Sequence, residues 1–169
     1  VTQTAAINIG ARLIAFDESN VLTRIEDAGR TLMAAIGYTV ELGKRITRRQ
    51  QEAFAAVMAR VLLEVIKHGP TSSLATQLMV TPPFMSYRLD QVDHIVFSGG
   101  VSEHVYDRDR TSYGDVGPLL GGNVRNYLRK LPKKNLLREP VEGIRATVIG
   151  AGEYTVQASG MTSYISNPC

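Results

Sequence analysis

Two glycine-rich turns hold the residues best suited to ligand chemistry. The first is Phe97-Ser98-Gly99-Gly100-Val101-Ser102-Glu103, and the second is Ile149-Gly150-Ala151-Gly152-Glu153-Tyr154-Thr155. Glycine lacks a Cβ, so its backbone N–H groups can come close to a flat base or a phosphate. Each turn follows an apolar β-branched run, Val92–Phe97 and Ile144–Ile149. Open α/β sheets bind ligands outside the carboxyl ends of their strands, so two such turns in one sheet point toward a nucleotide pocket. A tight strand-to-helix turn also requires glycine for purely structural reasons, and either turn alone carries little.

Other chemistry is weaker. The sequence has no G-x-x-x-x-G-K-[ST] loop, no G-x-G-x-x-G fingerprint opening a strand–helix unit, no H-E-x-x-H and no G-x-S-x-G. His68, His94 and His104 lack metal-ligand spacing, although the latter two flank the first glycine turn. Asp107, Asp109 and Asp115 follow that turn and could offer oxygen ligands, but capping by Asp115 and loop solvation by the other two are the simpler reading. Basic residues gather as Lys44, Arg45, Arg48 and Arg49, and again as Arg125, Arg129, Lys130, Lys133, Lys134 and Arg138. The functional reading of these groups is a protein or anion partner. No aromatic ladder interleaves them, which argues against nucleic acid.

The elements that must position these residues follow from periodicity. Val1–Ile9 is β-rich and reads as a strand ending at Gly10, and Ala11–Phe16 and Val21–Ile25 flank the polar cluster Asp17–Asn20 as a hairpin. A short helix is expected over 26–36, stopped by Gly37. Thr47 and Gln50 form a T-x-x-Q capping box ahead of Phe54, Val57, Met58, Val61, Leu62, Val65 and Ile66 at helical spacing, and Gly69-Pro70 closes that helix. Pro82-Pro83 forbids helix, Val92–Phe97 has the content of a buried strand, and a further helix is expected from an Asp115 N-cap to Pro132. Ile144–Ile149 and Met161–Ile165 read as later strands. Strands alternating with helices call for parallel pairing and an α/β layer architecture in one domain over residues 1–169.

Composition bounds the class. The 169 residues are 44% hydrophobic and 21% charged, which excludes a disordered or collagen-like chain. A net charge of +3 is too mild to imply a nucleic-acid partner. No apolar run approaches the roughly 18–20 residues of a membrane span. The single cysteine, Cys169, fits a reducing, cytoplasmic compartment. No Met precedes Val1, and the expectation is a piece of a longer protein whose open sheet edge invites homo-oligomers or aggregation.

Longer blocks carry a resemblance. Phe97-Ser-Gly-Gly-Val-Ser-Glu-His-Val-Tyr106, Tyr113-Gly-Asp-Val-Gly-Pro-Leu-Leu120 and Ile144-Arg-Ala-Thr-Val-Ile-Gly-Ala-Gly152, with Ser159-Gly160, resemble the ethanolamine-utilisation protein A family, the reactivating factors of ethanolamine ammonia-lyase. Ala6-Ile-Asn-Ile-Gly-Ala-Arg-Leu-Ile14 also resembles a strand of that family, with Ala11 where a second glycine is expected. The resemblance implies most of the second lobe of an actin-like (ribonuclease H-like, Hsp70-like) ATPase, a mixed sheet with flanking helices and its upstream strands missing. It implies an adenosine motif at Ser98, Gly99, Gly100, Val101, Ser102 and Glu103, with Gly150 and Gly152 approaching the same pocket. It implies ATP and Mg2+ as cofactors of the full-length protein, exchange of damaged cobalamin on the lyase for intact coenzyme, and a bacterial microcompartment as a setting. The D-x-G-G-G-T phosphate loop is absent from this sequence and is expected upstream of Val1, so the chain alone is expected to lack ATPase activity. Two other readings stand beside this one: an actin-like-fold kinase or hydantoinase-type enzyme, and a non-enzymatic interaction module.

Overall fold

The computed structural model describes residues 4–84, 89, 92–133 and 135–140. The strands expected at 144–149 and 161–165 lie outside these residues, as does the second glycine turn.

The hairpin forms as expected, but shorter. Strands β1 (Ile14–Phe16) and β2 (Leu22–Ile25) pair antiparallel with Ile14 opposite Ile25, and a bulge falls between Ala15 and Phe16. The Asp17–Asn20 cluster makes the turn: Asp17 Oδ1 accepts the N–H groups of Ser19 and Val21 at 2.9 Å each, and Asn20 takes φ +59°. Ala11–Leu13, expected to extend β1, instead forms one turn of 3-10 helix. Helix α1 (Asp27–Ala35) presses on this turn, because a Cβ on Gly29 would stand 2.6 Å from the Leu13 carbonyl oxygen. Gly37, at φ +81°, stops the chain just past α1.

Helix α2 (Arg48–His68) is the central element. The capping box is complete: Thr47 Oγ1 accepts the Gln50 N–H at 3.3 Å, and Gln50 Oε1 accepts the Thr47 N–H at 2.8 Å. Its buried side extends beyond one stripe. Phe54, Val57, Met58 and Val61 are buried as their spacing predicts, but so are Ala55, Ala59, Leu63 and Val65, while Leu62 and Ile66 are only partly covered. Elements on two sides of the helix account for this. It packs on α1 and on α3 (Ser73–Leu78), and also on α5 (Gly117–Arg129). The Ser72 side chain caps α3 by accepting the Ala75 N–H at 3.1 Å.

The two outer strands of the sequence reading are corrected. Residues 4–9 make one antiparallel bridge, Ile7 to Met79, with Asn8 donating to the Leu78 carbonyl at 2.8 Å. Residues 92–97 likewise make one bridge, parallel, from Ile95 to Leu137. That segment is half-buried: Ile95 and Phe97 lean on the core, whereas Val96 is 51% exposed. Among the described residues the only multi-residue sheet is β1–β2, and Ile95–Leu137 is the one parallel contact. The observed class is a mixed α/β arrangement, helix-dominated, with a small antiparallel sheet.

The last two helices lock together. Helix α4 (Gly100–Val105) packs on α5. The N-cap of α5 is Val116, one residue later than expected, and Asp115 Oδ1 accepts the Gly117 N–H at 2.8 Å from the preceding position. Glycine permits the close packing. A Cβ on Gly121 would lie 2.5 Å from His104 Cβ and 2.8 Å from the His104 carbonyl carbon.

Candidate functional site

The first glycine turn joins the half-buried segment 92–97 to α4. Gly99 is its pivot, with φ +85° and ψ −177°, a backbone state that L side chains rarely adopt. Ser98 and Gly100 are exposed, and a Cβ built on Gly100 meets no other described residue within 4 Å. Val101 leans on the core. The turn therefore presents open backbone at Ser98–Gly100 and anchors itself through the residues that follow.

Those residues are committed inward. Ser102 is 1% exposed, and its hydroxyl donates to the Gly99 carbonyl at 2.6 Å, closing the turn on itself. Glu103 is partly covered, with a carboxylate oxygen 3.8 Å from Arg108. His104 is 7% exposed, and its Nδ1–H donates to the Asp109 carbonyl at 2.7 Å. Only a protonated Nδ1 can make that bond, since a carbonyl is purely an acceptor.

Tyr106 ties the turn to its neighbour. Its hydroxyl accepts the Phe97 N–H at 2.9 Å and donates to the Arg138 carbonyl at 2.7 Å, so one side chain bridges the two partners of the parallel contact just before the glycines. The Arg108 guanidinium lies 5.2 Å from the Tyr106 ring centroid and pairs with Glu139, which holds its pKa above the usual arginine value.

The acids after the turn are engaged as well. Asp107, at φ +63°, takes both Arg110 Nε and Nη2 at 3.0 Å, and Arg125 Nη1 stands 2.8 Å away. Hydrogen bonds from Arg110, then from Arg125, hold its carboxyl far below the usual range. Asp109 accepts the Thr111 N–H at 2.7 Å and the Tyr113 hydroxyl at 2.9 Å, which lowers its carboxyl too. Asp107, Asp109 and Asp115 thus face three different sets of partners. Among the described residues no group of three or more His, Cys, Asp or Glu side chains could hold a metal ion.

Other sequence candidates are dispersed. His94 is exposed on the near side of the turn, His104 is buried beyond it, and His68 ends α2. Arg48 pairs with Glu52 one turn on, while Lys44, Arg45 and Arg49 are exposed. The second basic group divides: Arg125 turns to Asp107, Lys133 Nζ donates to the Val92 carbonyl, and Arg129 and Lys130 are exposed. Lys134, Gly150 and Gly152 lie outside the described residues. No described helix is long and apolar enough to cross a membrane.

Sequence reasoning missed Tyr106, Arg125 and Asp107 as organisers of the turn. Their partners lie up to 32 residues away, beyond any local pattern. The visible signal was an alternation of aspartate and arginine, Asp107-Arg-Asp-Arg110, ahead of a helix carrying Arg125 and Arg129.

Comparison with known proteins agrees with the blocks around this turn. Residues 1–168 match the family model described as ethanolamine utilisation protein EutA. The chain is 31% identical over 169 residues to "Ethanolamine ammonia-lyase reactivase EutA" of Salmonella typhimurium, covering 99% of this chain and 35% of that protein. It is 30% identical over 167 residues to the protein of the same name from Escherichia coli, covering 98% and 35%. The chain thus spans about a third of the length of these curated relatives. No solved structure matches it. With the family match running from the first residue to the last but one, the chain belongs to the EutA family of ethanolamine utilisation proteins.

Proposed function

We propose that the protein containing this chain is an ATP-dependent reactivating factor for adenosylcobalamin-dependent ethanolamine ammonia-lyase. It exchanges damaged cobalamin for intact coenzyme, and this chain contributes the corner on which adenosine rests. Family membership and the names of the relatives support the reactivase half of this reading. The observation that carries the nucleotide half is the open backbone at Ser98–Gly100, where Gly99 turns at positive φ and no other described residue comes within 4 Å of a Cβ built on Gly100.

A planar base or ribose fits such a surface, because backbone polar groups can reach it with no side chain between. Ser98, Gly99, Gly100 and Val101 would hold the adenosine. Ser102 and Glu103 would fix the turn rather than touch the ligand, since their side chains face Gly99 and Arg108. ATP supplies the free energy of a conformational cycle, and the corner senses its presence through adenosine contacts. Mg2+ and the phosphates belong with a D-x-G-G-G-T loop in the rest of the protein, because Asp107 and Asp109 are already engaged with Arg110, Arg125 and Tyr113. The lobes' closing would do conformational work on the lyase.

Full-length protein incubated with inactivated lyase, intact coenzyme, ATP and Mg2+ tests this reading. Recovery of lyase activity that requires ATP is expected. Recovery without nucleotide, or none with it, overturns the reading.

A further inference from the structure

The parallel contact between residues 95 and 137 breaks its own pattern just before the glycine turn. Ile95 N–H donates to the Leu136 carbonyl at 2.7 Å and Arg138 N–H to the Ile95 carbonyl at 2.9 Å, the regular arrangement about an Ile95–Leu137 bridge. One rung further, the same ladder would have Phe97 N–H donate directly to the Arg138 carbonyl. It does not. The Tyr106 hydroxyl stands in that rung, accepting from Phe97 at 2.9 Å and donating to Arg138 at 2.7 Å.

The inserted oxygen sets a distance. A direct rung would bring nitrogen and oxygen to about 2.9 Å, whereas bonds of 2.9 and 2.7 Å meeting at a tetrahedral oxygen hold them about 4.6 Å apart. The two segments therefore part by about 1.7 Å at their last rung, one residue before Ser98. Both backbone groups stay satisfied, because a phenol hydroxyl is donor and acceptor at once. Tyr106 reaches this place from the C-cap of α4, the helix that follows Gly99, so segment, turn and helix close on themselves through one hydroxyl. Its ring is held as well: the Arg108 guanidinium lies 5.2 Å from the centroid and pairs with Glu139, the residue after Arg138. That ion pair is exposed, so it orients the ring more than it stabilises the fold.

Ligands of parallel sheets bind outside the carboxyl ends of the strands, and the Ser98–Gly100 backbone lies just past this parted rung. We propose that Tyr106 is a positioning residue for the nucleotide: its hydroxyl wedges residues 95–97 and 136–138 apart and so sets where the Ser98–Gly100 backbone meets adenosine. This rests on the adenosine reading and deepens it, with the hydroxyl engaged by Phe97 and Arg138 rather than by the ligand. Tyr106→Phe keeps the ring and removes both bonds. The turn then loses its fixed distance from residue 138, and other conformers compete with the one that binds.

The test is isothermal titration of full-length protein with ATP. Tyr106→Phe should weaken binding about fivefold or more, as the binding-competent turn becomes a minority conformer. Ala75→Gly serves as the control: Ala75 is fully buried on α3, which packs on α1 and α2, and glycine there also destabilises the fold. It should leave ATP affinity unchanged, with circular dichroism confirming that both variants fold. Equal affinity of Tyr106→Phe and the unsubstituted protein overturns the proposal. An equal loss in Ala75→Gly does so too, because the effect would then be one of general stability. Without any variant, ATP should slow amide exchange at Phe97, since ligand and hydroxyl hold the same turn, and unchanged exchange overturns the proposal. Absence of ATP binding by the unsubstituted protein is a separate failure, that of the adenosine reading, and it takes the proposal with it.

Discussion

Replacing Gly121 with alanine puts a methyl group 2.5 Å from His104 Cβ and 2.8 Å from both the His104 carbonyl carbon and the Val105 nitrogen. Two of those three atoms are backbone, so no rotamer change relieves the clash. Helix α4 must move by about 1 Å to restore carbon–carbon contact near 3.5 Å. Overpacking costs roughly 1–3 kcal/mol, and a clash with backbone belongs at the upper end, about 2–3 kcal/mol, against a helix-propensity gain of about 1 kcal/mol for alanine over glycine. The net is a loss of roughly 1–2 kcal/mol. At Gly122, one residue on, a new Cβ meets nothing within 4 Å, so Gly122→Ala keeps the propensity gain and stabilises by up to about 1 kcal/mol. Two neighbouring and chemically identical substitutions should therefore differ by about 2–3 kcal/mol. For a domain of this size that separates their melting temperatures by roughly 4–12 °C, measurable by circular dichroism. Because α4 begins at Gly100, its displacement should also loosen the glycine turn, seen as faster amide exchange at Ser102. A Gly121→Ala protein as stable as the unsubstituted one, or less stable Gly122→Ala, would refute the packing of α4 on α5.

Tyr106→Phe removes one acceptor and one donor at once, leaving the Phe97 N–H and Arg138 carbonyl unmatched. A loss of about 1–2 kcal/mol is expected, with faster hydrogen exchange at Phe97, and unchanged exchange there would count against the bridge. The Asp107 carboxyl, held down first by Arg110 and then by Arg125, has a folded-state pKa below its unfolded one. Its contribution to stability is complete above the unfolded value of about 4 and fades as pH falls toward the folded one. Asp107→Asn, which tolerates the positive φ, should flatten the fall in stability below about pH 4 in acid titrations of the melting temperature; parallel slopes would contradict this.

Local chemistry made much of the helical frame legible. The Thr47–Gln50 capping box, Gly37 and Gly69 were readable because caps and stops act within a few residues. The hairpin was readable from Asp17–Asn20 for the same reason. Strand pairing was not, because its partners are remote: Ile7 meets Met79 and Ile95 meets Leu137. Apolar content alone made 92–97 look fully buried, yet it is covered on one face. At the candidate site, the glycines were visible and their anchors were not. The resemblance places Ser102 in the adenosine motif, and its buried position on a six-residue helix turns its hydroxyl to the Gly99 carbonyl, a contact no sequence pattern shows.

The proposed nucleotide role places adenosine on the open backbone at Ser98–Gly100. Gly100→Leu probes that surface, because its Cβ stands where no other described residue, its chain neighbours and helix backbone aside, has an atom within 4 Å. Isothermal titration of full-length protein with ATP should show affinity reduced by about tenfold or more in Gly100→Leu, with an unchanged circular dichroism spectrum. Equal ATP affinity in a correctly folded Gly100→Leu protein would contradict the claim.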